Sequence, residues 1–242
     1  MSVLGFYRLH GIHLRIRWPI LVAVPLLLAG MAMAFWPTTP TPRPDHAKVA
    51  AQTAPLPPGP PWIYGKADAH FTITLYADLE CPYCQGYFPQ LKRWIDANPD
   101  VNLQWQHLPL AMHEPSASRQ AWLTECAGEA EGQKGFWHAV EWVYRYTQGD
   151  GRGLPACASY PGMGPVLQAC LESPRPRLIV QRQIDNAHRQ GIGETPTLQL
   201  KNRLTGQMMV LSGPIPGDAL LSALDQLTSS SIAPQPRTSL HD

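Results

Sequence analysis

Hydrophobic and polar positions begin to alternate at Phe71, and the alternation continues to Asp78. A period of two residues is typical of a β-strand with one buried face. A helix-compatible run from Gln85 to Ala97 follows, and Asn98-Pro99-Asp100 ends it with residues that favour a turn. Val101 to Leu108 alternates again. The pattern therefore predicts strand, helix and strand at the start of a folded region that begins near Trp62.

The middle of the chain has helical patterns instead. We expect Ser116 to cap a helix that runs to about Glu131, and Lys134 to Thr147 to form a second helix whose buried stripe includes Tyr144. A glycine-rich run at residues 149–153 ends this second helix. Two further helices are predicted at residues 162–173 and 176–190.

Strand patterns return near the end of the chain. Thr197 to Leu200 and Gln207 to Leu211 predict two strands joined by a turn, and Pro216 to Leu227 predicts a closing helix. The whole order is a βαβ–ββα framework, interrupted by a helical insertion at about residues 112–190. We therefore expect an α/β fold with a mixed central sheet.

The N-terminal region predicts a membrane anchor. Residues 1–17 contain Arg8, Arg15 and Arg17 but no acid, and no charge occurs between Trp18 and Trp36. An apolar run of this length matches a membrane-spanning helix, and the arginines place residues 1–17 in the cytoplasm. The alternative is a cleaved signal peptide with Ala32-Met33-Ala34 as its cleavage site. Both interpretations export everything after residue 36.

The remaining segments and the composition narrow the function. Residues 37–61 are rich in proline and predict a semi-rigid spacer, residues 62–229 the folded domain, and residues 230–242 a flexible tail. A net charge of +1 gives no electrostatic case for binding nucleic acid. Nothing in the sequence requires more than a monomer.

Cys81-Pro82-Tyr83-Cys84 lies where the first strand gives way to the first helix. Helix amides and the positive end of the helix dipole favour a thiolate at the first cysteine. We expect Cys81 to be an exposed nucleophile and Cys84 a buried resolving thiol. A zinc site would need two more ligands at similar spacing, which the sequence does not offer. The motif therefore predicts a redox centre that uses neither a metal nor a cofactor.

Two acids precede this motif, and three cysteines follow it. We expect Asp78 and Glu80 to point away from Cys81, because their charge would raise its pKa. His113 is expected to be a packing or surface residue.

Among the other cysteines, a Cys126–Cys170 disulfide is the preferred prediction. The alternatives are a Cys157–Cys170 disulfide and three free thiols.

Three stretches together resemble the DsbA-like branch of the thioredoxin superfamily, over residues 62–229. They are Asp78-Leu79-Glu80-Cys81-Pro82-Tyr83-Cys84, then Cys126-Ala127-Gly128-Glu129 with Gly135-Phe136-Trp137, and last Ala187 to Gly191 with Gly193, Thr195 and Pro196. The resemblance implies a thioredoxin-like fold and a cis peptide bond before Pro196. It also implies that the Thr195 main chain lies beside the cysteines and binds extended substrate, and that Pro82 and Tyr83 tune the site. Whether the Thr195 hydroxyl approaches Cys81 is left open.

The resemblance implies a thiol:disulfide oxidoreductase. Together with the N-terminal segment, it predicts an enzyme anchored in a bacterial-type inner membrane, with its catalytic domain in the periplasm. Its partners would be exported proteins that contain cysteine, and a membrane redox partner that reoxidises it. Leu75 stands where many thioredoxin-fold enzymes bury an acid, which favours an oxidase. The alternatives are a disulfide isomerase or reductase, and a non-catalytic envelope scaffold or chaperone that uses the same groove.

Overall fold

Strand β2, Phe71–Ala77, is the central strand of a five-stranded sheet in the computed structural model, which describes residues 59–229. The other strands are β1 (Ile63–Tyr64), β3 (Val101–His107), β4 (Thr197–Asn202) and β5 (Met208–Ser212), and the order across the sheet is β1-β3-β2-β4-β5. Strand β2 is parallel to β3 and antiparallel to β4, so the predicted mixed sheet is confirmed.

The helices follow the predicted order. They are α1 (Pro82–Ala97), α2 (Ser116–Tyr146), α3 (Pro165–Glu172), α4 (Arg175–Arg189) and α5 (Gly217–Ser229), with a short 3₁₀ turn at Ala111–His113. Helix α2 is interrupted at Gly132, whose φ of 68° lies in the left-handed region that favours glycine. Its two halves are the two helices that the sequence predicts.

Two local predictions are corrected. Ser116 does not cap α2, because Pro115 is the N-cap residue and the Ser116 hydroxyl instead donates to the Gly151 carbonyl oxygen at 2.8 Å. Strand β1 has no counterpart in the sequence prediction. Only two residues pair antiparallel with β3 there, which is too short a run to show a period.

The two faces of the sheet carry different packing. Ile73 and Leu75 of β2 lie in the main hydrophobic core with Leu91 of α1 and Leu224 of α5. Tyr76 points to the opposite face, where it packs with residues that include Ala187 of α4. Because side chains alternate along a strand, α1 and α4 lie on opposite faces.

Aromatic rings fill the core between the sheet and α2. Trp105 of β3 is fully buried, and its ring centroid lies 5.8 Å from Phe88, 6.1 Å from Trp137 and 6.2 Å from Tyr144. Edge-to-face and tilted pairs of this kind add to the free energy gained by burying apolar area. The core thereby fixes helix α2 against the helix that carries the cysteine motif.

The membrane and terminal predictions fall elsewhere in the chain. Residues 1–17, the anchor at 18–36, most of the 37–61 spacer and the tail at 230–242 lie outside the described residues. Between residues 59 and 229, no helix has the length and apolar character needed to cross a membrane.

Candidate active site

Cys81 is the N-cap residue of helix α1. Its backbone is extended, with φ −75° and ψ 119°, and Pro82 takes the first helical position, where a missing N–H costs nothing. The Cys81 carbonyl accepts the first helical hydrogen bond, from Gln85 N–H at 3.0 Å. The sulfur therefore lies at the end of the helix where unpaired N–H groups and the dipole stabilise negative charge.

Both thiols of the motif are free and nearly covered. Cys81 is 3% exposed and Cys84 is 1% exposed. The expectation of an exposed Cys81 is therefore wrong, whereas that of a buried Cys84 agrees with the structure. The cover over Cys81 includes Thr195, because the Cys81 thiol donates to the Thr195 carbonyl oxygen at 3.5 Å.

The two cysteines differ strongly in acidity. A hydrogen bond from the Cys84 side chain lowers the pKa of Cys81 to about 6, against the opposing effect of burial. The nearby Thr195 side chain and the main-chain amides of Cys84 and Tyr83 lower this pKa further. Burial raises the pKa of Cys84 well above its ordinary value, and the adjacent Cys81 adds to the rise. At neutral pH the pair therefore holds one thiolate, on Cys81, and one proton, on Cys84.

The Thr195–Pro196 turn reaches the cysteines because of the strand register. Strand β4 is antiparallel to β2 and pairs Thr197 with Tyr76, so the residues just before β4 lie beside the residues just after β2. The Thr195–Pro196 peptide bond is cis, as the resemblance implied. The Thr195 hydroxyl is buried without a well-formed hydrogen bond among the described residues, yet the side chain lies close enough to lower the pKa of Cys81.

Pro82 and Tyr83 lie on the outer surface of the motif. Tyr83 is 70% exposed and acts on Cys81 through its main-chain amide. Its ring faces solvent. Both residues are thus brought to the site, but the side-chain hydroxyl of Tyr83 makes no hydrogen bond within the described part of the chain.

Asp78 and Glu80 are buried, which the sequence did not indicate. Asp78 is 1% and Glu80 is 0% exposed. The Asp78 carboxylate accepts from the main-chain N–H groups of Glu80 at 2.7 Å and Leu110 at 2.8 Å, and lies 2.7 Å from His113 Nδ1. These contacts engage both oxygens of the Asp78 carboxylate. Burial nevertheless raises the pKa of Asp78.

Tyr144 is a residue of the site that sequence reasoning placed only in the core. Its hydroxyl donates to the Asp78 carbonyl oxygen at 3.2 Å, and burial together with the charge of Cys84 raises the pKa of Tyr144 well above its ordinary value. The ring belongs to the buried stripe of α2, so no periodic signal separates its polar role from its packing role.

The other cysteines lie apart from this pair. Cys126 of α2 and Cys170 of α3 form a disulfide, with their Cα atoms 5.6 Å apart. Cys157 is a free, exposed thiol in the connection between α2 and α3. No cluster of three or more potential metal ligands occurs within residues 59–229.

A dithiol of this asymmetry, at the N-terminus of a helix and opposite a cis-proline turn, defines a thioredoxin-fold thiol:disulfide oxidoreductase. The family model described as Thioredoxin matches residues 58–225, and the chain belongs to this family. Within it, the chain is DsbA-like.

Solved structures of DsbA-type proteins are similar to this chain. The crystal structure of Pseudomonas aeruginosa DsbA2 is 42% identical, with a TM-score of 0.68 over 72% of this chain and 98% of that chain. Wolbachia pipientis alpha-DsbA1 is 18% identical with a TM-score of 0.56, covering 71% of this chain and 92% of that one. Oxidised BdbD from Bacillus subtilis is 16% identical with a TM-score of 0.53, over 72% and 98%. The last two show a shared fold.

Curated relatives match a shorter stretch. The Na(+)/H(+) antiporter NhaA 3 of Salinispora tropica is 35% identical over 83 residues, which are 34% of this chain. NhaA 1 of Salinispora arenicola is 32% identical over a stretch of the same length. This chain spans only 12% of the length of either relative.

Proposed function

We propose that this chain is a membrane-anchored periplasmic oxidoreductase that exchanges the Cys81–Cys84 disulfide with cysteine-containing substrate proteins. The observation that carries the proposal is the placement of the pair: Cys81 is the N-cap residue of α1 and contacts Thr195, and Cys84 is buried within the helix. A thiolate on Cys81 stabilises the reduced pair and makes Cys81 a good leaving group, and both effects make the disulfide an effective oxidant.

The exchange proceeds in two displacements. A substrate thiolate attacks Cys81 Sγ of the oxidised enzyme, an S–S bond to the substrate forms, and Cys84 leaves and takes up a proton. A second substrate thiolate then attacks the substrate sulfur of this mixed disulfide and releases Cys81 as a thiolate. Two electrons pass from the substrate dithiol to the enzyme, and the substrate leaves with a disulfide.

Substrate binding is proposed for the surface around Thr195. An extended substrate segment would pair its main chain with that of Thr195, next to Cys81. The exposed Tyr83 ring would contact substrate side chains. A membrane redox partner would then reoxidise Cys81 and Cys84, and the enzyme would act as a monomer.

Trapping tests this function. In full-length Cys157→Ser protein, which lacks the exposed third thiol, Cys84→Ala should accumulate mixed disulfides with envelope proteins that a reductant releases. The matched control, Cys81→Ala with Cys84→Ala, should accumulate none. The proposal fails if no adduct forms and the purified parent neither oxidises nor reduces a model thiol peptide.

The reduction potential separates the oxidase from the reductase alternative. An oxidase should have a reduction potential of about −120 mV, and a reductase one of about −270 mV.

The anchor is tested separately: the full chain should stay with the membrane after washing in high salt and alkali, and a chain that begins at residue 37 should not. Release of the full chain would contradict the anchor and leave the chemistry unaffected.

A further inference from the structure

Glu80 is bonded through every polar group it has, although none of its surface is exposed. Its N–H donates to Asp78 Oδ1 at 2.7 Å, and its carbonyl oxygen accepts from Asp150 N–H at 2.8 Å. Its carboxylate accepts from Thr147 Oγ1 and Gln120 Nε2 through one oxygen, and from Gly153 N–H at 2.8 Å through the other. No part of this residue is left to solvent.

The Glu80 carboxylate satisfies all of its partners as an acceptor. Three donors converge on the two oxygens: a hydroxyl, a side-chain amide and a main-chain N–H. A carboxylate is an acceptor at both oxygens, whereas a glutamine of the same shape would turn an NH₂ group towards one of these donors. An unsatisfied buried donor costs about 1–3 kcal/mol. The Gly153 N–H can only donate, whereas the Thr147 hydroxyl can also accept and the Gln120 amide can turn inward its Oε1, which is buried without a partner among the described residues. A glutamine at position 80 therefore loses the charge and keeps only part of these bonds.

Three of the partners, Thr147, Asp150 and Gly153, belong to one loop. Thr147 is the C-cap residue of α2, and the next residues include Gly149, Asp150 and Gly151, with φ values of 69°, 52° and 75°. A Cβ atom on Gly151 would lie 3.0 Å from the Cα atom of His113, so the loop packs closely against neighbouring main chain. Residues with positive φ values let the loop turn tightly, so that its main-chain N–H groups point towards Glu80.

We propose that Glu80 is a positioning residue that clamps the segment before Cys81 to the loop at residues 147–153 of the helical insertion. The clamp holds Cys81 at the N-cap of α1, where the helix amides reach its sulfur. The inference rests on the proposed function, because it takes Cys81 to be the reacting thiol. It adds that the helical insertion sets the reactivity of this thiol through one buried side chain.

Charge and position make opposite predictions for a substitution at Glu80. If Glu80 acted only as a nearby negative charge, its removal would lower the pKa of Cys81. If it acts by holding Cys81 at the helix N-terminus, its loss would let the thiolate move from its donors and would raise that pKa. The sign of the change therefore decides between them.

The experiment measures the alkylation rate of Cys81 by iodoacetamide against pH, on reduced protein in the Cys157→Ser background. Glu80→Gln should move the midpoint up by about one pH unit and slow alkylation at pH 6 about fivefold. Thr147→Val removes one donor from the clamp and leaves the charge in place, so the midpoint should rise here too. Thr147→Ser restores the hydroxyl and should keep the parent midpoint.

Glu194→Gln is the matched control, because Glu194 is an exposed acid directly before Thr195 and is not among the residues bonded to the Glu80 carboxylate. Its midpoint should equal that of the parent. An unchanged midpoint in folded Glu80→Gln or folded Thr147→Val would overturn the proposal, and so would a lowered midpoint in Glu80→Gln. If Glu80→Gln does not fold, Thr147→Val decides. The assay needs no substrate protein, so its outcome is independent of the trapping test.

Discussion

The Cys81 thiol donates to the main-chain carbonyl oxygen of Thr195, 114 residues further along the chain, at 3.5 Å. The antiparallel pairing of β2 with β4 makes this contact, since it places the start of one strand beside the end of the other. A carbonyl acceptor favours the protonated thiol, whereas the Thr195 side chain favours the thiolate. Residue 195 thus acts on Cys81 in two opposite ways.

Thr195→Val separates these two effects, because it removes the hydroxyl and keeps the main chain. The loss of a donor should raise the pKa of Cys81 by about half to one unit and lower the reduction potential by about 10–30 mV. Alkylation against pH and equilibration with glutathione measure the two quantities. Thr195→Ser should stay close to the parent in both, and a fall in the pKa of Cys81 in Thr195→Val would contradict this role of the hydroxyl.

The reduction potential should change slope with pH near 6. Below the pKa of Cys81, reduction takes up two protons with two electrons and the potential falls by about 59 mV per pH unit. Above that pKa only Cys84 takes up a proton, and the slope should halve to about 30 mV per unit. A single slope from pH 5 to 8 would show that Cys81 does not ionise in this range.

The same ionisation should stabilise the reduced protein as pH rises. The pKa of Cys81 is lower in the folded state than the unfolded value near about 8.5, so the stabilisation is complete above that value and is lost as pH falls through about 6. From pH 5 to pH 7 the reduced form should gain about 1.4 kcal/mol relative to the oxidised form. Urea unfolding of both forms at the two pH values measures this difference.

The sequence predicts the framework because its signals are local. The alternation at Phe71–Ala77 predicts a strand and the motif at Cys81 predicts a helix start, each from a few neighbouring residues. The family resemblance predicts that Thr195 lies beside the cysteines. Burial of Asp78 and Glu80 could not be predicted in this way. Their partners lie up to 73 residues further along the chain, and a carboxylate that satisfies three remote donors has the same local sequence as an exposed one.

The cover over Cys81 was missed for a similar reason. A helix N-terminus predicts a reactive sulfur, but its exposure depends on how closely the Thr195 turn approaches, which is set by strand register. Tyr144 shows the same limit in the core: its spacing predicts burial, and only the fold shows that its hydroxyl ends at the Asp78 carbonyl oxygen.

Removal of the Cys126–Cys170 disulfide should destabilise the fold and spare the chemistry. The bridge closes a loop with a sequence separation of 44 residues, for which the chain-entropy relation gives about 4 kcal/mol. Cys126→Ala with Cys170→Ala should therefore lower the denaturation midpoint markedly, while the pH midpoint of Cys81 alkylation stays unchanged. Cys157→Ser is the matched control and should leave both quantities as they are. A shifted Cys81 midpoint would link the bridge to the active site.

Glu125 is a buried acid outside the active site that should make stability depend on pH. It is 2% exposed, its carboxylate accepts from Trp62 Nε1 at 2.9 Å and Gln183 Nε2 at 3.0 Å, and burial raises its pKa to about 7. His107 Nε2 lies 3.5 Å away, but burial lowers the pKa of His107 to about 3, so this neighbour is neutral from pH 5 to 8. Within residues 59–229, no opposite charge is paired with Glu125 to offset the burial of its ionised form.

The sign follows from the raised pKa. Between about 4.5 and 7 the folded state keeps the proton that the unfolded state loses, so stability should fall by about 1.4 kcal/mol per pH unit from this group. Glu125→Gln should remove that slope, although it also loses one acceptor. Urea unfolding of the oxidised protein, in which Cys81 does not titrate, measures it at pH 5 and pH 7. Glu129→Gln, at the acid that pairs with Arg175, is the control and should keep the parent slope. Equal slopes in the parent and in Glu125→Gln would mean that Glu125 is ionised throughout this range and that its two donors outweigh the cost of burial.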